Sequence, residues 1–364
     1  MANEGGVNKL IGWVRTEWRH LTTINASDRR WPMPFAAALA SALPLLVGAY
    51  FHRMDYGLTA SLGGLSFLYL ASTPLWHRMV VLMACAFGMT ACYALGVMSH
   101  QVPALMMPVL VFTAILVTMV CRFYNLGPPG SLFFIMAASI GAYTPGEIEH
   151  IPLKVGLLTM GALLACLIAF FYSVFTLPRQ PARPPQAVPV ATFDFVVFDS
   201  VVIGVFVGIS LALAQALQLQ KAYWVPVSCL AVIQGMSLRA VWNRQLQRII
   251  GTGLGLLVAW ALLLLPLDAW RMCGVIFVLT FIVETVVVRH YGLATIFITP
   301  LTILLAEAAT LGRGSVGELM QARFMDTVLG CLVGLIGGVC LHSPAFRRTV
   351  GRPLRYLIPE RVLP

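Results

Sequence analysis

Two stretches of the chain set an arginine between long apolar runs, with a tyrosine two residues on: VCRFYNLG at 120–127 and VVRHYGLA at 287–294. A third, VWNRQLQRIIGTGLG at 241–255, places Arg244 and Arg248 one helical turn apart, ahead of Gly251 and Gly255. A fourth, AYWVP at 222–226, sets Tyr223 and Trp224 before a proline. A guanidinium is a planar fork of donors that matches both oxygens of a carboxylate, and flat aromatic faces suit an aromatic ring. These residue types therefore point to recognition of a small organic anion. Arg122, Arg289 and Arg248 would supply positive charge, and Tyr124, Tyr291, Tyr223 and Trp224 would cradle the rest of the ligand. Positive-inside anchoring explains Arg248 equally well, and both readings stand open.

Two acids lie inside apolar runs. Glu284 sits in FVLTFIVETVVVRH, and an acid in lipid is costly unless it is paired or carries a proton. It either exchanges a proton or neutralises Arg289 or Arg248. Asp199 shares that ambiguity, whereas Glu307 and Asp326 are expected at wet outer helix ends. Enzyme chemistry finds no support: there is no GxxxxGK[ST] loop, no HExxH, no nucleophile elbow and no metal-type Cys/His spacing. The eight cysteines read as small hydrophobes, His290 as a solvated loop residue, and no cofactor or metal is expected.

The elements that must position these residues follow from composition. Of 364 residues 59% are hydrophobic and 10% charged, with mean hydropathy +0.86; a soluble domain carries about 25% charged residues. The implied fold is an all-α integral membrane protein whose main partner is the lipid bilayer. Apolar runs fall near 35–51, 57–72, 78–98, 103–121, 129–144 and 152–176, then 195–218, 222–237, 249–267, 271–288, 292–308 and 325–342, giving about twelve spans. When the loops are assigned alternately to two sides, 18 of the 24 basic residues share the side of both termini. That asymmetry marks the side as cytoplasmic and assigns the net charge of +10 to lipid and cytoplasm rather than to nucleic acid.

An offset of 167 carries Arg122, Tyr124, Leu126, Tyr56 and Gly88 onto Arg289, Tyr291, Leu293, Tyr223 and Gly255. An offset of 169 carries Lys154 and Gly161 onto Arg323 and Gly330. Matches in order at near-constant spacing indicate two parallel six-helix repeats. The organisation is a cytoplasmic or interfacial segment at 1–32, repeats at 33–177 and 193–343, a Pro-rich linker at 178–192 and a basic tail at 344–364. The first thirty residues are polar and basic, unlike a cleavable signal peptide; Leu10, Val14, Trp18 and Leu21 recur there as in a surface helix, though a basic tail fits as well. Gly251, Gly255, Gly330, Gly334 and Gly338 recur at four-residue spacing and read as helix-packing positions. The second, fifth, eighth and eleventh spans are short or interrupted, the kind of segment that lines a transport path in duplicated carriers.

The Tyr-Trp-x-Pro of AYWVPVSCLAVIQ, followed by an arginine three residues before Gly-Thr-x-x-Gly in RIIGTGLG, resembles the fusaric acid resistance/aromatic acid exporter family. It is also similar to the membrane part of plant aluminium-activated malate transporters. The first half keeps Tyr56 but lacks the Trp, the Pro and the Arg-x-x-Gly-Thr. The resemblance implies proton-driven export of aromatic or other organic carboxylates across a bacterial inner membrane. It leaves open a periplasmic adaptor and a homo-oligomer as partners. A passive anion channel and a non-transporting membrane scaffold are the alternatives.

Overall fold

The computed structural model describes residues 23–27, 29–179, 182–185, 192–308 and 316–356. The expected surface helix around 10–21, most of the linker and the last eight residues lie outside them. Six helices form the first half: α1 (Pro32–Tyr50), α2 (Met54–Gly64, extended by a 3-10 turn to Tyr69), α3 (Leu75–His100), α4 (Pro103–Phe123), α5 (Leu132–Ala142) and α6 (Ile151–Thr176). Six follow in the second: α7 (Asp199–Ala216), α8 (Trp224–Ile233), α9 (Leu238–Leu263), α10 (Ala269–Val286), α11 (Tyr291–Ala308) and α12 (Val316–His342). A basic helix, α13 (Pro344–Tyr356), ends the described chain.

The same positions pack together in each half. In the first, α3 packs on α5, α2 on α6, α1 on α2 and α3 on α6; in the second, α9 packs on α11, α8 on α12, α7 on α8 and α9 on α12. Two seams join the halves, α4 against α7 and α10 against α1, with α5 beside α8 between them.

Among the described residues, eight helices are long and apolar enough to cross a membrane, fewer than the twelve runs read from the sequence. The difference has a geometric cause. Helices α2, α5 and α8 have 11, 11 and 10 residues, and at 1.5 Å per residue each covers only about half of a ~30 Å hydrocarbon layer. A helix that ends at such a depth must have its ends enclosed by protein. All of Val225–Ile233 in α8 is buried. At its end Gln234 donates to Ser131 Oγ (2.7 Å), and His342 meets the Gly235 carbonyl (3.0 Å). The long helices instead present large apolar side chains outward, among them Phe87, Met160, Leu257 and Ile336, as contact with lipid requires.

Glycines set the closest seams. A Cβ on Gly255 would stand 2.6 Å from the Ile296 carbonyl oxygen and 2.7 Å from Thr299 Cβ on α11, while one on Gly253 would meet nothing nearer than 4.0 Å. Gly251 faces α11 in the same way, Gly330 and Gly334 face α8, and Gly338 faces Val241 of α9. Overpacking of this kind costs about 1–3 kcal/mol. Gly255→Leu is therefore expected to lower the thermal unfolding midpoint of the detergent-purified protein. Gly253→Leu, on the same helix, should leave it unchanged.

Candidate anion-binding site

The buried stripe of α9 runs through Val241, Gln245, Arg248, Gly251, Thr252, Gly255 and Ala259, so helical periodicity turns Arg248 inward with the glycines. Those glycines admit α11, which brings Tyr291 to Arg248: Nη1 donates to the phenol oxygen at 2.8 Å. From α8, Ser228 Oγ accepts from Arg248 Nη2 at 3.2 Å. Gly330 and Gly334 admit α8 against α12, which lays the Arg323 guanidinium over the Trp224 ring, 4.0 Å from its centre. Such a contact contributes about 2 kcal/mol when desolvated. Tyr223 leans on Trp224 (ring centres 5.2 Å apart) and on Tyr143 of the first half (5.9 Å).

What sets the cluster apart is what it leaves unpaired. Among the described residues, Arg248 Nε, Arg323 Nε and Nη1, and both carboxylate oxygens of Asp326 have no hydrogen-bond partner, although all three residues are buried. Arg248 lies ten residues into α9 and Arg323 seven into α12, about 15 and 10 Å along their axes. Charges at that depth cost several kcal/mol each unless they are compensated. A narrow cleft lined by Lys221, Trp224, Thr302, Arg323 and Asp326 opens onto the group. Two guanidinium groups against one carboxylate leave a net positive, donor-rich site walled by aromatic rings. Chemically, it is suited to hold an anion with an apolar body.

The structure thus gathers four of the seven nominated ligand residues, Arg248, Tyr291, Tyr223 and Trp224, and places the other three elsewhere. Arg122 donates to Asp199 (2.7 Å) and to the Phe195 carbonyl (3.0 Å) at the α4–α7 seam, where Arg347 of α13 also reaches Asp199. Tyr124 is exposed against Phe123. Arg289 is exposed, and its carbonyl accepts from the Asn25 amide at 2.9 Å. Glu284 pairs with neither Arg289 nor Arg248 but with Arg29, at 3.2 Å. The reason is that α10 packs on α1, whose leading segment carries Arg29 to the buried end of α10. The two seams between the halves are therefore each closed by an ion pair, with the acid on α7 in one and on α10 in the other.

Asp326 corrects the expectation of a wet helix end. Helix α12 begins at Val316 rather than near 325, so Asp326 lies ten residues inside it and has no exposed surface. The side chain of Glu307 lies outside the described residues. Sequence reasoning passed over Arg323, Asp326 and Ser228, and the one available signal was the pairing of Lys154 with Arg323 across the repeat. The site lies among α8, α9, α11 and α12 of the second half. The first half has no counterpart among its described residues: Lys154 donates to the Pro145 carbonyl, and Arg78 to the Thr73 carbonyl (2.6 Å) and Ser173 Oγ (3.4 Å).

A helical bundle with long apolar helices and outward-facing apolar side chains defines a multi-pass membrane protein. Residues 201–337, which hold every nominated member of the cluster, match the fusaric acid resistance protein-like family. A 128-residue stretch is 32% identical to the uncharacterized membrane protein YvaC of Bacillus subtilis, covering 35% of this chain and 20% of the relative. The chain thus spans about a fifth of that relative's length. No solved structure matches the chain.

The seam ion pairs generate a stability prediction. Removing one partner from a buried pair costs about 3–5 kcal/mol because it strands the other charge. Asp199→Asn strands two arginines and should destabilise the purified protein strongly in thermal unfolding. Glu284→Gln, whose amide oxygen still accepts from the partly exposed Arg29, should cost markedly less.

Proposed function

We propose that the protein is a secondary efflux carrier for small organic anions, aromatic carboxylates in particular, in a bacterial inner membrane, with transport coupled to protons. One observation carries the reading: two arginines buried well inside long apolar helices, with guanidinium N–H groups that no described protein group accepts. A carboxylate oxygen is the acceptor those groups lack, and one that arrives and leaves would make the site a way station rather than a structural pair. Trp224, Tyr223 and Tyr291 surround it with surfaces suited to an aromatic ring. The matched family's description, resistance to an acid, fits outward transport.

In this reading the twelve helices form two parallel six-helix units with both termini in the cytoplasm. Support comes from the matched packing of the halves, the sequence offsets and the skewed basic residues. Short α8 and its neighbour α11 are the elements that must part to admit a ligand, since the cleft beside Arg323 is narrow. The organic-anion channel is the competing reading; it predicts benzoate currents in a planar bilayer that persist without any proton gradient.

Loss of a hydrogen bond between charged partners costs about 1.5–3 kcal/mol, or roughly 10- to 100-fold in affinity. Arg248→Gln and Arg323→Gln are each expected to reduce benzoate efflux from proteoliposomes by at least about tenfold at equal protein density. Arg289→Gln, at an exposed position, should leave it unchanged. Efflux at the original rate in both of the first two variants would refute the anion site.

A further inference from the structure

The carboxylate in the cluster has no part in attracting an anion, and its position demands another explanation. Asp326 has no exposed surface, and neither of its oxygens has a hydrogen-bond partner among the described residues. It lies three residues from Arg323 on α12, hence on a neighbouring face one turn along. Both line the cleft with Lys221. The charged and titratable groups beside it are Arg323 from α12 and Lys221 and Tyr223 from the turn before α8; Arg248 from α9 and Tyr291 from the start of α11 act on Arg323 in turn. Glu318, nearer the start of α12, has an exposed side chain and an interaction of its own.

We propose that Asp326 is the internal counter-ion of the empty site and takes up one proton when an organic anion replaces it, so that anion and proton bind together. This rests on the anion-site reading above. In the empty site Arg248, Arg323 and an ionised Asp326 sum to one positive charge. An incoming carboxylate occupies the free guanidinium donors and places a second negative charge beside Asp326 in a medium of low dielectric. A like charge at that range disfavours the ionised acid. Protonation of a carboxylate oxygen of Asp326 restores the sum to one positive charge, now with neutral Asp326 and the bound anion. Loaded and empty forms then carry equal charge, and the site carries the complete acid rather than the bare anion. Net export then requires the product of anion and proton concentrations to be higher inside than outside.

The two acids that stand out in the sequence are poorly placed for this. Glu284 accepts from Arg29, and Asp199 is clasped by Arg122 and Arg347. Each is half of a fixed pair at a seam, away from the unpaired donors.

The test uses the full chain in lipid nanodiscs, with benzoate binding followed by calorimetry in two buffers of different ionisation enthalpy. The expected result is uptake of about one proton per benzoate, with affinity falling by up to about tenfold per pH unit as pH rises. Asp326→Asn should bind benzoate without proton uptake and with affinity independent of pH. Asp326→Glu and Glu284→Gln should each keep the uptake. Benzoate binding by the unaltered protein without proton uptake would overturn this inference and leave the anion site standing. Undiminished uptake in Asp326→Asn would also overturn it. Absence of benzoate binding in the unaltered protein would overturn the anion site and this inference together.

Discussion

In a layer without water, every charge must be answered by protein, by a bound ligand or by a proton, and the arrangement of this chain follows from how each is answered. Charges at the two seams between the halves are answered by protein. Arg122 and Arg347 hold Asp199 where α4 meets α7, and Arg29 holds Glu284 where α10 meets α1. The cluster of Arg248, Arg323 and Asp326 is different, for it is enclosed as deeply and left with open donors and acceptors. On the proposed reading, compensation there falls to a bound anion.

The helices are built around that exception. Short α8 is wholly enclosed, so its ends and its Ser228 can face polar groups at mid-depth without touching lipid. Gly251 and Gly255 on one side, and Gly330 and Gly334 on the other, bring four backbones close enough for Tyr291, Ser228 and Trp224 to reach the two arginines. Packing and site are thus one design: bulk at those glycines would part the helices and scatter the cluster.

Much of this was legible in the sequence. Apolar runs give the helices, and the Tyr-Trp and Arg-x-x-Gly-Thr stretches, with Tyr291, give four of the residues that meet. The rest was hidden for identifiable reasons. Apolar length does not distinguish a full span from a half-length helix in an apolar surrounding, so α2, α5 and α8 read as crossings. Arg122 and Arg289 are equivalent in sequence, yet one finds Asp199 at a seam and the other faces outward. Nothing local distinguishes them, because the partner lies 77 residues away. Asp326 was misplaced by a boundary error: the apolar run of α12 begins near 325, but its helix begins at Val316. Most of these first turns are exposed or half-buried, and only Arg323 and Asp326 turn inward, where they line the cleft.

The central claim is that the Arg248–Arg323 cluster receives an organic anion. The most direct measurement is a density map of the protein with 4-bromobenzoate, whose bromine locates the ligand unambiguously. The account predicts the carboxylate within hydrogen-bonding distance of both guanidinium groups and the ring among Trp224, Tyr223 and Tyr291. Ligand found instead at Arg122 or Arg289, or between the halves with the cluster unchanged, would contradict it.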